Sequence, residues 1–109
     1  MREPTYYILT ALTARGTLHG YAIAEEAAKQ SKGNVKITAG TLYGALDRLV
    51  DQGMIEVDRE ETVDGRRRRC YRITKSGEAA VQNEVIRMRV AIDAANNSTR
   101  LPLDGLADA

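Results

Sequence analysis

Apolar residues recur at helical spacing from the start of the chain. Tyr6, Leu9 and Leu12, with Ile8 alongside, predict a helix from about Pro4 to Ala14; Pro4 suits its first turn, and Arg15 and Gly16 end it. A second helix is predicted from near His19, carrying Tyr21, Ile23, Ala24, Ala27 and Ala28. The polar run from Lys29 to Asn34 then reads as a connection. Val35 and Ile37 form a short extended piece, and Thr38 offers a side-chain oxygen to cap a third helix reaching about Gln52. Leu42, Leu46 and Leu49 share one face of that helix, and Gly53 supplies its stop.

The period changes after Gly53. Ile55 and Val57 alternate with Glu56 and Asp58, and Tyr71 and Ile73 alternate with Arg72 and Thr74, which is strand spacing. Asp64 and Gly65 between them are a hairpin turn signal. Past Thr74, a second N-cap candidate, the helical period returns to about Asn96. Val81, Val85, Met88, Ile92 and Ala95 are separated by 4, 3, 4 and 3 residues, the spacing of a seam between two helices.

Three short helices, a hairpin and a long trailing helix describe a mainly α chain with a small β-hairpin: a winged helix-turn-helix plus a C-terminal dimerisation helix. The expected organisation is a DNA-binding domain over residues 1–74, a dimerisation helix over 75–96, and a mobile tail over 97–109. In a helix-turn-helix the second helix of the pair enters the major groove, so the segment Thr38 to Gln52 is the candidate reader. With its leucines turned inward, Thr38, Thr41 and Tyr43 near the start, and Arg48 a turn later, are left for DNA. Hydroxyls and backbone N–H groups at a helix start suit phosphates, and the small residues Ala39, Gly40 and Gly44 permit close approach.

Charge sharpens this picture only when divided along the chain. Lys plus Arg is 16 and Asp plus Glu is 15, but residues 66–75 hold Arg66, Arg67, Arg68, Arg69, Arg72 and Lys75 without an acid. The remainder has 10 positive against 15 negative charges. A basic hairpin tip beside a reader helix is expected to lie along the DNA backbone through Arg66, Arg67, Arg68 and Arg69, the alternative being a solvated charged turn.

Composition excludes other classes. A chain of 109 residues has room for one domain, and 43% hydrophobic with 28% charged residues is the globular norm. No apolar run approaches the ~18 residues of a membrane span, and no apolar leader follows Met1, Arg2, Glu3 and Pro4, so a cytoplasmic protein without a membrane partner is expected. Cys70 and His19 are the only residues of their kinds, too few for a disulfide or a structural metal site. There is no paired base and nucleophile and no phosphate loop, so neither an enzyme nor a cofactor is expected. His19, at a turn-to-helix position, is expected to cap or pack, and Cys70 to be an ordinary strand residue. With no Phe or Trp the core is small, and a second copy would help it.

The runs Gly16-Thr17-Leu18-His19-Gly20-Tyr21 and Gly40-Thr41-Leu42-Tyr43-Gly44-Ala45-Leu46-Asp47-Arg48-Leu49 resemble the PadR-like transcriptional regulators. So do Gly53-Met54-Ile55, Gly65 with its arginines, and Tyr71-Arg72-Ile73-Thr74-Lys75-Ser76-Gly77, in the same order. The resemblance covers residues 5 to about 95, and departs where Thr17 and Gly44 replace the family's usual prolines. The single C-terminal helix looks like the shorter branch of that family. This implies a homodimeric repressor on double-stranded DNA, reading an inverted repeat, with a small apolar or cationic effector bound at the dimer centre in some members. Tyr6, Tyr7 and Met88 are the candidate effector residues, with core packing as their other reading. A different class stays open beside the regulator: a winged-helix module that docks on protein without binding DNA, towards which Asp47 and Asp51 point.

Overall fold

The computed structural model describes residues 1–99. Three helices come first, α1 (Glu3–Arg15), α2 (Gly20–Gln30) and α3 (Ala39–Asp51), with a two-residue strand, β1 (Leu18–His19), between α1 and α2. Strands β2 (Ile55–Val63) and β3 (Arg66–Ile73) form the hairpin, and α4 (Lys75–Thr99) follows.

The local signals act where they stand in the sequence. His19 caps α2, its Nδ1 accepting the Ala22 N–H at 3.3 Å. Thr38 caps α3, its Oγ1 accepting the Thr41 N–H at 3.5 Å. The α3 helix closes through paired bonds, Met54 N–H to Leu49 O and Gly53 N–H to Val50 O, both 3.0 Å, with Gly53 at φ 74°. Only a residue content with positive φ closes a helix in this way. Asp64 and Gly65, at φ 52° and 78°, make the two-residue turn whose twist matches the strands it joins.

Four features differ from the sequence expectation. Leu18–His19 is a strand: Leu18 pairs with Tyr71 and His19 with Cys70, giving a three-stranded antiparallel sheet in the order β1-β3-β2. Two residues are too few to carry an alternating pattern, so nothing in the chain announces it. Val35 and Ile37 pair with no strand among the described residues, although Val35 is buried. Val57, which alternates in step with the buried Ile55, is 41% exposed, and the ladder shifts by one residue between Val57 and Arg59. Finally, α4 extends to Thr99, three residues beyond the expected end. The expected mobile tail from there on lies outside the described residues.

Ile8, Leu9 and Leu12 of α1, Ile23 of α2, and Leu42, Ala45, Leu46 and Leu49 of α3 form one core with Ile55 and Tyr71 of the sheet. Val81 of α4 packs against it. Thr74 joins the pieces: its N–H donates to Met54 O at 3.0 Å, its hydroxyl donates to Gly53 O at 2.6 Å, and its own Oγ1 accepts the Gly77 N–H at 3.1 Å. One residue thus ties the end of α3 to the base of the hairpin and caps α4.

Candidate nucleic-acid interface

The start of α3 is an exposed polar surface. Thr38 and Thr41 are tied to each other, Oγ1 to Oγ1 at 3.1 Å, and their backbone stands at the positive end of the helix. Tyr43 is 51% exposed and lies across the first residue of α2. A Cβ at Gly20 would sit 3.1 Å from Tyr43 Cε1 and 3.2 Å from its hydroxyl oxygen, so Gly20 makes the room the ring occupies.

A groove of about 580 Å³ runs between this surface and the hairpin. The His19–Tyr21 start of α2, Tyr43 and Asp47 of α3, and Arg66 to Arg69 with Tyr71 of β3 line it. The short β1 strand explains the arrangement: pairing β3 to the residues just before α2 sets the hairpin beside the helix pair. Burial raises the Tyr71 phenol above its ordinary value, partly offset by Arg69, so this ring closes the floor as a neutral group.

Of the residues singled out in the sequence, Tyr43 and the four arginines meet in this groove. Arg48 does not. It stands on the other flank of α3, beside a separate hollow of about 250 Å³ with Arg2, Thr5 and Gln52. Its Nη1 lies 3.5 Å from where a Cβ on Gly44 would be, so it folds back over the bare backbone there. Among the described residues it forms no ion pair with Asp47 or Asp51, its acidic neighbours on α3.

The hairpin is also less basic than its arginine run. Glu60 on β2 takes Arg67 at 2.7 Å and Arg69 at 3.4 Å. Arg72 pairs with Glu56 at 2.5 Å and with Asp58 at 3.3 Å. From Ile55 to Ile73 there are six arginines and five acids, six minus five leaving +1. Among the described residues Arg66 and Arg68 make no ion pair, and they are the hairpin cations left for a polyanion. Sequence reasoning missed this, although counting back from the Asp64–Gly65 turn sets Glu60 opposite Arg69 and Glu61 opposite Arg68. Cys70 is buried, with its thiol pushed up by that burial and by its contact with Glu61 at 3.4 Å. It is an unreactive strand residue.

The α4 seam divides. Val81 is spent on the core, Val85, Met88 and Ala95 are half-buried, and Ile92 is 53% exposed. Ile86 and Val90, which the seam spacing omitted, are 61% and 64% exposed on the opposite side of the helix. Tyr6 and Tyr7 are half-buried and meet edge to face with centroids 5.4 Å apart. Neither hollow described above includes them or Met88.

A helix pair with an exposed second helix, flanked by a hairpin that a third strand fastens beside it, defines a winged helix-turn-helix domain of the DNA-binding class. The relatives agree and narrow the class. The model of the "Transcriptional regulator PadR-like family" matches residues 8–83, and the chain belongs to that family. Its members are transcription regulators, not enzymes. The transcriptional regulator Rv3488 of Mycobacterium tuberculosis is 37% identical over 71 residues, 65% of this chain and 63% of that protein. The chain therefore matches less than two thirds of that relative's length. Among solved structures, a transcriptional regulator from Clostridium thermocellum superposes with TM-score 0.73 at 25% identity, covering 87% of this chain and 91% of that one. Bacillus subtilis PadR in complex with operator DNA superposes with TM-score 0.68 at 26% identity, covering 78% of this chain and 48% of that one. No described helix is long and apolar enough to cross a membrane.

Proposed function

We propose that this regulator is a cytoplasmic homodimeric repressor that binds an inverted-repeat operator in double-stranded DNA, with α3 as reader and the hairpin as wing. The observation that carries the reading is the groove itself, which puts Tyr43 and the arginine-bearing strand on one side of the molecule next to the capped start of α3. Thr38, Thr41 and Tyr43 position the helix on the backbone, Arg48 reaches the opposite strand's phosphates from its own flank, and on the wing Arg66 and Arg68 contact the phosphates, with Arg67 and Arg69 joining them as they leave Glu60. Arg66 and Arg68, which make no ion pair among the described residues, favour this over a protein-docking module.

Dimerisation proceeds through the outer half of α4. Ile92 and its half-buried neighbours Val85, Met88 and Ala95 continue the seam past the core, and apolar side chains at this density on a projecting helix are stabilised by a second copy. The two readers then lie about 34 Å apart, one turn of DNA. An apolar or cationic aromatic effector binds near Tyr6, Tyr7 and Met88, where two copies enclose a cleft, and weakens operator binding by altering reader spacing.

Footprinting on the DNA upstream of the protein's own gene tests the reading. Two symmetric protected half-sites about one turn apart are expected; an asymmetric site held by one chain refutes the dimeric architecture. Titrating planar cationic dyes while following tyrosine fluorescence and operator affinity tests the effector, and binding without loss of operator affinity refutes the release.

A further inference from the structure

We propose that Asp47 is a base-reading residue that selects cytosine at one position of each half-site, an inference that rests on α3 being the reader. Leu42, Leu46 and Leu49 face the core, so the line of α3 furthest from it carries Gly40, Gly44 and Asp47. The first two bear no side chain, and space around Gly40 is open, with nothing within 4 Å of a Cβ built there. Gly40 is open and Gly44 is overlain only by the exposed Arg48 guanidinium, which is free to swing off to a phosphate, so the helix seats deeply with Asp47 the next residue on that line. Its short side chain reaches a base edge only because the two glycines precede it.

The charge environment makes the carboxylate unusual. Asp47 lines the groove together with four arginines, yet among the described residues it forms no ion pair; the arginines that pair do so with Glu60. Asp47 is exposed, and among the described residues its oxygens accept no hydrogen bond. A carboxylate accepts hydrogen bonds and donates none, and it is repelled by phosphate, so its favourable partner on DNA is an amine on a base. In the major groove those amines are N4 of cytosine and N6 of adenine, and guanine N7 and O6, thymine O4 and adenine N7 are all acceptors. Adenine sets its N7 acceptor directly beside N6, where it opposes the second carboxylate oxygen. Cytosine has no such neighbour on its own edge, and it is the base selected.

The same geometry separates two substitutions. Asp47→Asn keeps the shape and adds a donor, the combination that pairs with adenine N6 and N7 together. Asp47→Ala removes the contact and a negative charge. Selection from a randomised duplex pool with the full chain and these two variants reads the outcome. The natural chain should favour cytosine at one position per half-site by about tenfold. Asp47→Asn should move that preference to adenine, and Asp47→Ala should flatten the preference at that position alone. Equal melting temperatures establish that both variants fold. If the natural chain enriches a site and both variants enrich the same site with the same preference at every position, Asp47 reads nothing. If the natural chain enriches no sequence, α3 is not a reader and both proposals fall.

Discussion

Gly77→Ala sets local preference against tertiary contact at one residue. Gly77 is the third residue of α4, and in a free helix alanine there would be favoured by about 0.8–1.0 kcal/mol. In the folded chain a Cβ at Gly77 would sit 2.1 Å from the Met54 carbonyl oxygen and 2.6 Å from Ile73 Cγ1. Both atoms belong to the corner where α3 passes into β2 and β3 returns, and the carbonyl is backbone that cannot swing aside. Relief means moving α4 outward by about an ångström, which strains the Thr74 N–H bond to Met54 O and the Thr74 cap on Gly77. Those bonds contribute about 1 kcal/mol each, and forced overpacking costs typically 1–3 kcal/mol. Set against the propensity gain, the net expectation is a loss of about 2 kcal/mol, or roughly 8–16 °C in melting temperature for a domain of this size. Gly40→Ala is the control: it is also a helix glycine, but a Cβ there meets nothing within 4 Å, so its melting point should hold or rise. Thermal unfolding by circular dichroism at one chain concentration compares them, since dimerisation would make the midpoint concentration-dependent. A Gly77→Ala chain that melts at or above the natural one would refute the contact argument.

Replacing Arg66 and Arg68 with Ala should lower affinity for all DNA sequences and flatten the slope of log K against log salt by about 0.9 per lost phosphate contact, with sequence preference retained; an unchanged slope in a filter-binding series would show that these residues are only solvated. Glu60→Gln should act oppositely, freeing Arg67 and Arg69, tightening nonspecific binding severalfold and steepening that slope, and the same titration would expose a null effect. Val85→Glu should place like charges across the dimer seam and weaken self-association and DNA binding together, so sedimentation identical to the natural chain would contradict the seam. Glu84 is held down at about 2 by its hydrogen bonds from Arg87, with the N-terminal ammonium 3.2 Å away adding to the effect. A carboxylate depressed on folding stabilises the fold fully above its ordinary value of 4.5 and loses that contribution as pH falls from there towards 2. Glu84→Gln should therefore be less stable than the natural chain at neutral pH, with the difference shrinking through that window; an unvarying difference in acid melts would refute the linkage.

The helices, the turn and the caps were legible in the residues because each is a local event. A leucine every three or four residues, a Thr before a helix start, or Asp-Gly between alternating segments acts within one turn of backbone. For Thr38, Asp64, Gly65 and Gly53 the structure realises that reading at the same residues. The register next to the turn was legible too, since a two-residue turn fixes the partners from Val63 and Arg66 back to Arg59 and Cys70 and sets Glu60 opposite Arg69, whereas the one-residue shift between Val57 and Arg59 was not. Other features depended on what came near in space. Leu18–His19 has no period of its own and becomes a strand only because β3 arrives beside it. Arg48 and Tyr43 are both polar positions next to a leucine face, but the placement of the wing puts Tyr43 in the groove and leaves Arg48 on the far flank. Val81 and Ile92 obey the same seam spacing, yet α4 lies against the core at one and projects past it at the other. Gly77 is an ordinary weak helix residue by propensity, and its necessity resides in a carbonyl 23 positions earlier in the chain. Periodicity identifies a face; the identity of its neighbour depends on long-range contacts that no short window of residues contains.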